Sequence, residues 1–245
     1  MTDAIFSDGR LAEIYDPLDH DRSDLDLYLS LVEEVRAHTI IDIGCGTGTF
    51  ACLLATRGYS VVAVDPARAS IDVARRKPGA ERVRWVVGGV TDLPDTQADA
   101  VTMTGNVAQV FLSDAEWSTV LDGARRALRP GGHLMFEVRD PADEAWRRWT
   151  RELSHRRVTI PDVGPVRTWV DVTRVDLPLV SFRWTFEFER DASVLTSDST
   201  LRFRDRPEVE RSLAEAGFVV EDVRDAPDRP GRELVFIAQR REVES

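Results

Sequence analysis

The segment Asp42-Ile43-Gly44-Cys45-Gly46-Thr47-Gly48 joins the apolar run Thr39-Ile40-Ile41 to a second apolar run that opens with Thr49-Phe50-Ala51. Glycines at alternate positions let a backbone turn tightly and approach a ligand with no Cβ in the way. Further on, Val61-Val62-Ala63-Val64 ends in Asp65, an acid placed to hydrogen-bond ribose hydroxyls from a strand tip. The glycine spacing is G-x-G-x-G. A dinucleotide loop is G-x-G-x-x-G, and the last of those glycines would have to stand where the chain has Thr49. Asp42 puts negative charge at the loop, which suits a cationic ligand and is poorly placed beside a pyrophosphate. The chemistry indicated is the holding of a ribose and of a cationic group.

These residues need a frame, and alternating strand and helix patterns provide it. Strands are expected over 39–43, 60–64, 82–87, 98–104 and 133–138. Helices are expected over 49–57, closed by Gly58, over 67–77, stopped by Pro78-Gly79, and over 113–128, capped by Ser113 and Glu116. Arg129-Pro130-Gly131-Gly132 makes the turn into the fifth strand. An earlier helix should begin near Ser23, where Ser23 and Asp26 resemble a capping box and Tyr28, Val32 and Val35 form an apolar stripe. After Arg139 the pattern changes. A helix carrying Trp146 and Trp149 is expected over 141–155. Period-two alternation over 166–204, as in Phe182, Trp184, Phe186 and Phe188, indicates two or three antiparallel strands. A helix with Pro207 in its first turn and Gly217 at its end then precedes strands over 218–223 and 233–239.

The fold class expected is α/β: a Rossmann-like, doubly wound, mostly parallel seven-stranded sheet with a C-terminal antiparallel hairpin strand and an antiparallel β insertion forming a lid. The chain divides into an N-terminal cap segment (1–22), a cofactor-binding core (23–140), a helix-plus-β insertion over the substrate (141–205), and a C-terminal helix and strands that complete the sheet (206–245). Ligands of such sheets lie outside the carboxyl ends of the strands.

With those residues in place, the sequence resembles the class I S-adenosylmethionine-dependent methyltransferases of the small-molecule type, whose cofactor loop is D/E-x-G-x-G-x-G. Val64-Asp65-Pro66 resembles the family's ribose-binding acid, 88–94 its adenine-binding stretch, and 98–107 its fourth motif. Leu128-Arg129-Pro130-Gly131-Gly132 resembles the turn before its fifth strand, and the two final strands its closing hairpin. The resemblance covers about two thirds of the chain. It implies S-adenosylmethionine as cofactor and S-adenosylhomocysteine as product. The cofactor contacts it implies are Asp42, Gly44, Cys45, Gly46, Gly48, Asp65, Pro66, Gly89, Val90, Asp92, Thr104, Gly105 and Asn106. One position departs from the family: Gly89 stands where an acid usually reads the adenine amino group. Either Asp92 or the backbone of Gly89 and Val90 takes that duty, or Asp92 is only a turn acid.

No catalytic side chain is assigned, because a sulfonium methyl is already activated and needs mainly an oriented nucleophile. His38 and His133 lie at the wrong end of the sheet, and His20 and His155 lie in flanking segments where surface positions are expected. Toward the acceptor, Tyr15 resembles a tyrosine that closes over the cofactor in small-molecule methyltransferases, and Arg139, Trp146 and Trp149 are the remaining candidates. The implied acceptor is N or O of a metabolite. The net charge of −11 speaks against nucleic acid, and Arg147, Arg148, Arg151, Arg156 and Arg157 are interleaved with acids. Competing readings are a nucleic-acid or protein methyltransferase, a nicotinamide enzyme disfavoured by Thr49, and a protein that binds the cofactor without catalysis. Two cysteines and four histidines make a metal site an unsupported expectation and point to a reduced, cytoplasmic protein. No apolar run spans a membrane, the first ten residues do not read as a signal peptide, and homodimerisation through the insertion is compatible with the sequence but not demanded by it.

Overall fold

A computed structural model describes residues 2–241. Two short helices, α1 (Ala4–Ser7) and α2 (Gly9–Leu18), precede α3 (Asp24–Glu34). Strand and helix then alternate through β1 (Thr39–Ile43), α4 (Thr49–Thr56), β2 (Ser60–Asp65), α5 (Arg68–Ala74), β3 (Val83–Val87), β4 (Ala98–Met103), α6 (Asp114–Ala127) and β5 (Leu128–Arg139). The helix α7 (Arg151–Ser154) leads into β6 (Arg156–Ile160), β7 (Gly164–Asp176), β8 (Leu179–Phe188) and β9 (Ser193–Arg202). The chain then returns through α8 (Arg206–Glu215), β10 (Phe218–Asp225) and β11 (Glu233–Arg240).

The main sheet has seven strands in the order β10-β11-β5-β4-β1-β2-β3. Strands β5, β4, β1, β2 and β3 are parallel, whereas β11 runs antiparallel to β5 and β10 antiparallel to β11. Helices cover both faces, which is why the central strands are apolar throughout rather than alternating. Ile40, Val61, Ala63 and Ile237 pack with Leu31, Phe50 and Leu54 of α3 and α4. Ile41, Val62, Val101 and Phe136 pack with Trp117, Leu121 and Leu213 of α6 and α8. Successive strands are added on opposite sides of β1, so the crevice opens at the ends of β1 and β4.

Local signals worked where the chain itself supplies the partner. Ser113 and Glu116 form the expected capping box of α6, Ser113 Oγ accepting from the Glu116 N–H at 3.2 Å. The Ser23–Asp26 box does not form. The Ser23 side chain makes no cap bond, and its N–H donates instead to Asp21 Oδ1. Within the N-terminal cap segment, for which no element was expected, residues 4–7 and 9–18 are helical: Asp8 accepts from the N–H groups of Arg10 and Leu11, and Leu11, Ile14 and Leu18 form one buried face. The helix expected over 141–155 is broken. Glu144 sits at φ +45° between two 3₁₀ turns, and Thr150 is extended, leaving one turn as α7. Arg129-Pro130-Gly131-Gly132 is looped out of the β4–β5 ladder, which resumes with His133 opposite Ala100.

Four strands rather than two or three form the second sheet, in the order β6-β7-β8-β9, all antiparallel. The N-terminal helices dock on it: Leu11, Ile14 and Leu18 pack with Ile160, Val166, Phe186 and Phe188. Arg10 lies over the Phe188 ring at 3.5 Å and pairs with Asp191. The two segments that flank the core in sequence therefore form one body above it.

Candidate functional site

The glycine loop leaves β1 with the Gly44 and Cys45 N–H groups both donating to Val64 O of β2. A Cβ at Gly48 would stand 2.4 Å from the Trp85 ring, and one at Gly44 2.6 Å from Val107, so these positions are closed by packing. At Gly46, φ +53°, a Cβ would meet nothing within 4 Å. The same is true of Gly89 and Gly105, so the ends of β1, β3 and β4 each present bare backbone to open space.

Two carboxylates frame this opening. Asp65 is 8% exposed, and its oxygens accept from the Gly46 N–H at 2.9 Å and the Ala67 N–H at 2.7 Å, tying the loop to the tip of β2. Burial raises its pKa against the pull of those two bonds. Asp42 is 1% exposed; Oδ1 accepts from Thr102 Oγ1 at 3.0 Å, and Oδ2 has no partner among the described residues. Burial lifts its pKa to about 7, opposed by the Thr102 bond and reinforced by Asp65. Burial also pushes the Cys45 thiol well up, with Asp42 and Asp65 adding to the effect, so it stays protonated.

The loop is held from outside by α2. Asp16 Oδ1 accepts from Thr47 Oγ1 at 2.7 Å and Thr49 Oγ1 at 3.2 Å, and its other oxygen lies 2.6 Å from Lys77 Nζ. A carboxylate there complements the positive N-terminus of α4. Nothing in local spacing marks Asp16, because its partners are remote in sequence. Beyond β3, the Asp92 carboxylate is committed to the Gly89 N–H at 2.8 Å, and the Val90 side chain packs against Gly123 of α6. Asp92 holds this turn through Oδ2, while its side chain remains exposed beside the Gly89 backbone. Pro66 is exposed directly after Asp65.

A cavity of about 130 Å³ lies between α2, α3 and the ends of β4, β5 and β11. Tyr15, Arg22, Asp24, Tyr28, Gly105, Asn106, Glu137, Arg139, Arg229 and Glu233 are among its walls. Thr104, just before Gly105, is half-buried and does not line the cavity, and Asn106, at φ +62°, is almost fully buried. Burial keeps the Tyr15 hydroxyl protonated, as a donor; Arg22 opposes this slightly. Arg139 donates to Gln109 Oε1 at 3.1 Å and lies 5.6 Å from the Trp149 ring. Trp149 in turn meets Phe182 edge-on at 4.7 Å. Trp146 is packed with Phe203, Val170 and Val180 in the insertion's own core, Trp149 packs against the same cluster, and neither indole is among the residues lining the cavity.

The histidines stand outside this cavity. His20 and His155 are exposed, the latter beside Trp169; the His38 N–H donates to Asp99, and His133 Nε2 meets Glu221. The carboxyl-end rule pointed to Gly105, Asn106 and Arg139 and the family resemblance to Tyr15, all of which line this cavity, but neither marked Glu137. The available signal was a lone acid within the apolar strand Leu134-Met135-Phe136-Glu137-Val138. Glu233, Arg229 and Arg22 were unreadable, since β11 and the N-terminal segment reach β5 only through the fold.

A profile described as a methyltransferase domain matches residues 40–132. The cypemycin N-terminal methyltransferase of a Streptomyces species is 35% identical over 150 residues, which make up 58% of this chain and 60% of that protein. The chain thus spans about three fifths of that relative's length. Among solved structures, the S-adenosylmethionine-bound amino pentose methyltransferase CalS10 of Micromonospora echinaspora, involved in calicheamicin biosynthesis, superposes with a TM-score of 0.71 at 21% identity, covering 93% of this chain and 96% of that one. The Burkholderia thailandensis 1,6-didemethyltoxoflavin-N1-methyltransferase with bound 1,6-didemethyltoxoflavin and S-adenosylhomocysteine gives 0.59 at 19%, covering 98% and 85%. At these identities the structural likeness speaks to the fold, while the matched domain carries the loop itself. Residues 40–132 therefore carry a methyltransferase domain, set in a chain whose fold is that of S-adenosylmethionine-dependent methyltransferases.

Proposed function

We propose that the protein transfers the methyl group of S-adenosylmethionine to a nitrogen or oxygen of a small-molecule metabolite. The observation that carries this reading is the unpaired, buried Asp42 Oδ2 behind a loop whose central glycine, Gly46, faces open space. A bound nucleoside with a cationic amino-acid tail matches both features: backbone lies against Gly46, and positive charge satisfies Asp42. Bound S-adenosylmethionine supplies a methyl on a sulfonium, and its displacement leaves S-adenosylhomocysteine.

In this reading Gly44, Cys45, Gly46 and Gly48 give the loop, and Asp65, followed by Pro66, takes the ribose hydroxyls with its remaining lone pairs. Backbone of Gly89 and Val90 meets the adenine, with Asp92 holding their turn. Thr104, Gly105 and Asn106 stand at the methyl end. Tyr15 and Arg139 face the acceptor, Trp149 backs Arg139, and Trp146 shapes the insertion. The body formed by α1, α2 and the second sheet excludes water above the reaction. A phosphate-bearing polymer is disfavoured: Arg147, Arg148 and Arg157 are paired with Glu144, Asp143 and Glu189. No helix among the described residues is long and apolar enough to cross a membrane, and both cysteines are free, which suits a reducing, cytoplasmic setting.

Calorimetric titration with S-adenosylmethionine, S-adenosylhomocysteine and NADH tests the proposal. Binding of the first two, and not of NADH, is expected; binding of NADH alone sinks it.

A further inference from the structure

Three residues lining the cavity each carry a buried oxygen with no hydrogen-bond partner among the described residues: Tyr28 Oη, Asn106 Oδ1 and Glu137 Oε2. An unsatisfied buried group costs about 1–3 kcal/mol, and more when charged. Three around one cavity mark a place where a ligand supplies the donors. The orientation of the Asn106 amide follows from its bonds. Its Nδ2 donates to Glu233 Oε1 at 3.1 Å, and its backbone N–H donates to Glu137 Oε1, so Oδ1 is left as an acceptor. Asn106 and Glu137 are only 3% and 4% exposed.

The cations nearby are engaged elsewhere. Arg229 Nη1 lies 2.7 Å from Glu233 Oε1, and Arg139 is bonded to Gln109 with its Nε 3.9 Å from Glu233. Arg22, at the start of α3, pairs with Asp24. Glu137 therefore has no cation within salt-bridge distance among the described residues, in a cavity that Asp19, Asp24, Asp228 and Glu233 also line.

We infer that Glu137 and Asn106 receive the acceptor as a protonated amine, and that Glu137 takes the proton that must leave before the nitrogen can act as nucleophile. This rests on the methyltransferase reading above. A Glu137 oxygen accepts one N–H proton from R–NH₃⁺, and the electrons of that bond stay on nitrogen as a lone pair, giving R–NH₂ and a carboxylic acid. Asn106 Oδ1 and the Tyr28 hydroxyl take the remaining hydrogens. An alcohol brings one hydrogen and no charge; even with the Tyr28 O–H donating to its oxygen, either Asn106 Oδ1 or Glu137 Oε2 is left unmet. The polar and titratable groups that share the cavity with Glu137 are Asn106 from the β4 loop, Arg139 from β5, Asp228, Arg229 and Glu233 from β11 and the segment before it, Tyr15 from α2, Asp19 and Arg22 from the segment before α3, and Asp24 and Tyr28 from α3. Burial raises the Glu137 carboxyl to about 8, with the Asn106 N–H opposing and Glu233 adding to it, and Arg139 and Asp24 then acting in opposite senses. An acid near neutrality is matched to moving a proton in either direction.

The test titrates n-butylammonium chloride, with 1-butanol as neutral control, into the full chain saturated with S-adenosylhomocysteine. Binding is followed by calorimetry and by the Glu137 carboxyl resonance in ¹³C-glutamate-labelled protein. The ammonium ion should bind at least about tenfold more tightly than the alcohol, and Glu137→Gln should lose about that factor while keeping its S-adenosylhomocysteine affinity. The amine should also move the Glu137 titration below its free midpoint, a measurement on unaltered protein that stands even where the variant fails to fold. Equal binding of amine and alcohol, undiminished amine binding by Glu137→Gln, an unmoved carboxyl titration, or no amine binding at all overturns the inference. Failure of the unaltered chain to bind S-adenosylhomocysteine is a different result: it removes the methyltransferase reading, and this inference with it.

Discussion

Asp42 ties the loop's electrostatics to pH. Its folded pKa of about 7 lies above its ordinary value because burial penalises the carboxylate. A cationic ligand pairs only with the ionised form, so affinity for S-adenosylmethionine is lost as pH falls through that value, by up to about tenfold per pH unit on the acid side. Calorimetry between about pH 5 and 7 should show this slope, and Asp42→Asn should bind weakly with the slope largely removed. In the free protein the same shift has the opposite sense: the folded state holds the proton more tightly than the unfolded chain, so Asp42 lowers stability as pH rises toward 7. Gly46 makes a separate prediction. A Cβ there meets no protein atom within 4 Å, so Gly46→Ala should fold, at a cost of roughly 1–2 kcal/mol for the left-handed backbone. It should nonetheless lose cofactor binding by an order of magnitude or more, because the methyl occupies the ligand's approach. Retained affinity would place the ligand elsewhere.

At the scale of elements, α2 and the glycine loop act as a latch through Asp16. It joins the N-terminus of α4, through Thr47 and Thr49, to Lys77 just beyond α5. Hydrogen bonds to a charged group contribute about 1.5–3 kcal/mol. Asp16→Ala should therefore lower the thermal midpoint by roughly 3–10 °C for a chain of this size. Amide exchange should rise first over Gly9–Leu18 rather than over β1 or β4. After β4, Arg204 has a comparable part: nearly fully buried, it donates to Phe111 O at 2.8 Å and also approaches the carbonyls of Ala108 and Ser113, holding the loop that carries Asn106. Burial drops its pKa to about 10, with Arg202 adding to the fall, yet it remains charged at neutral pH.

In the whole molecule, residues 4–18 and the inserted sheet pack as one body, although more than a hundred residues separate them in the chain. Ile14 is fully buried in their shared cluster. Ile14→Ala should cost about 2–5 kcal/mol and accelerate exchange in β6–β8 together with α2. If only α2 loosens, the two segments are independent and the shared body is refuted. The sequence by itself determined the parallel core, the loop from Asp42 to Gly48, the acid at the tip of β2 and the capping of α6. Each rests on interactions within a few residues or on a strand-and-helix period, and such interactions are written locally. The break of the 141–155 segment and the helicity of 4–18 escaped that reading, because apolar faces there are satisfied by the second sheet rather than by neighbours in the chain. Only the tertiary structure decided that Tyr28, Asn106 and Glu137, each with a buried oxygen lacking a partner among the described residues, line one cavity, and that Asp16 holds the loop. Burial and the absence of a partner are properties of an atom's whole surroundings, and no stretch of sequence specifies them.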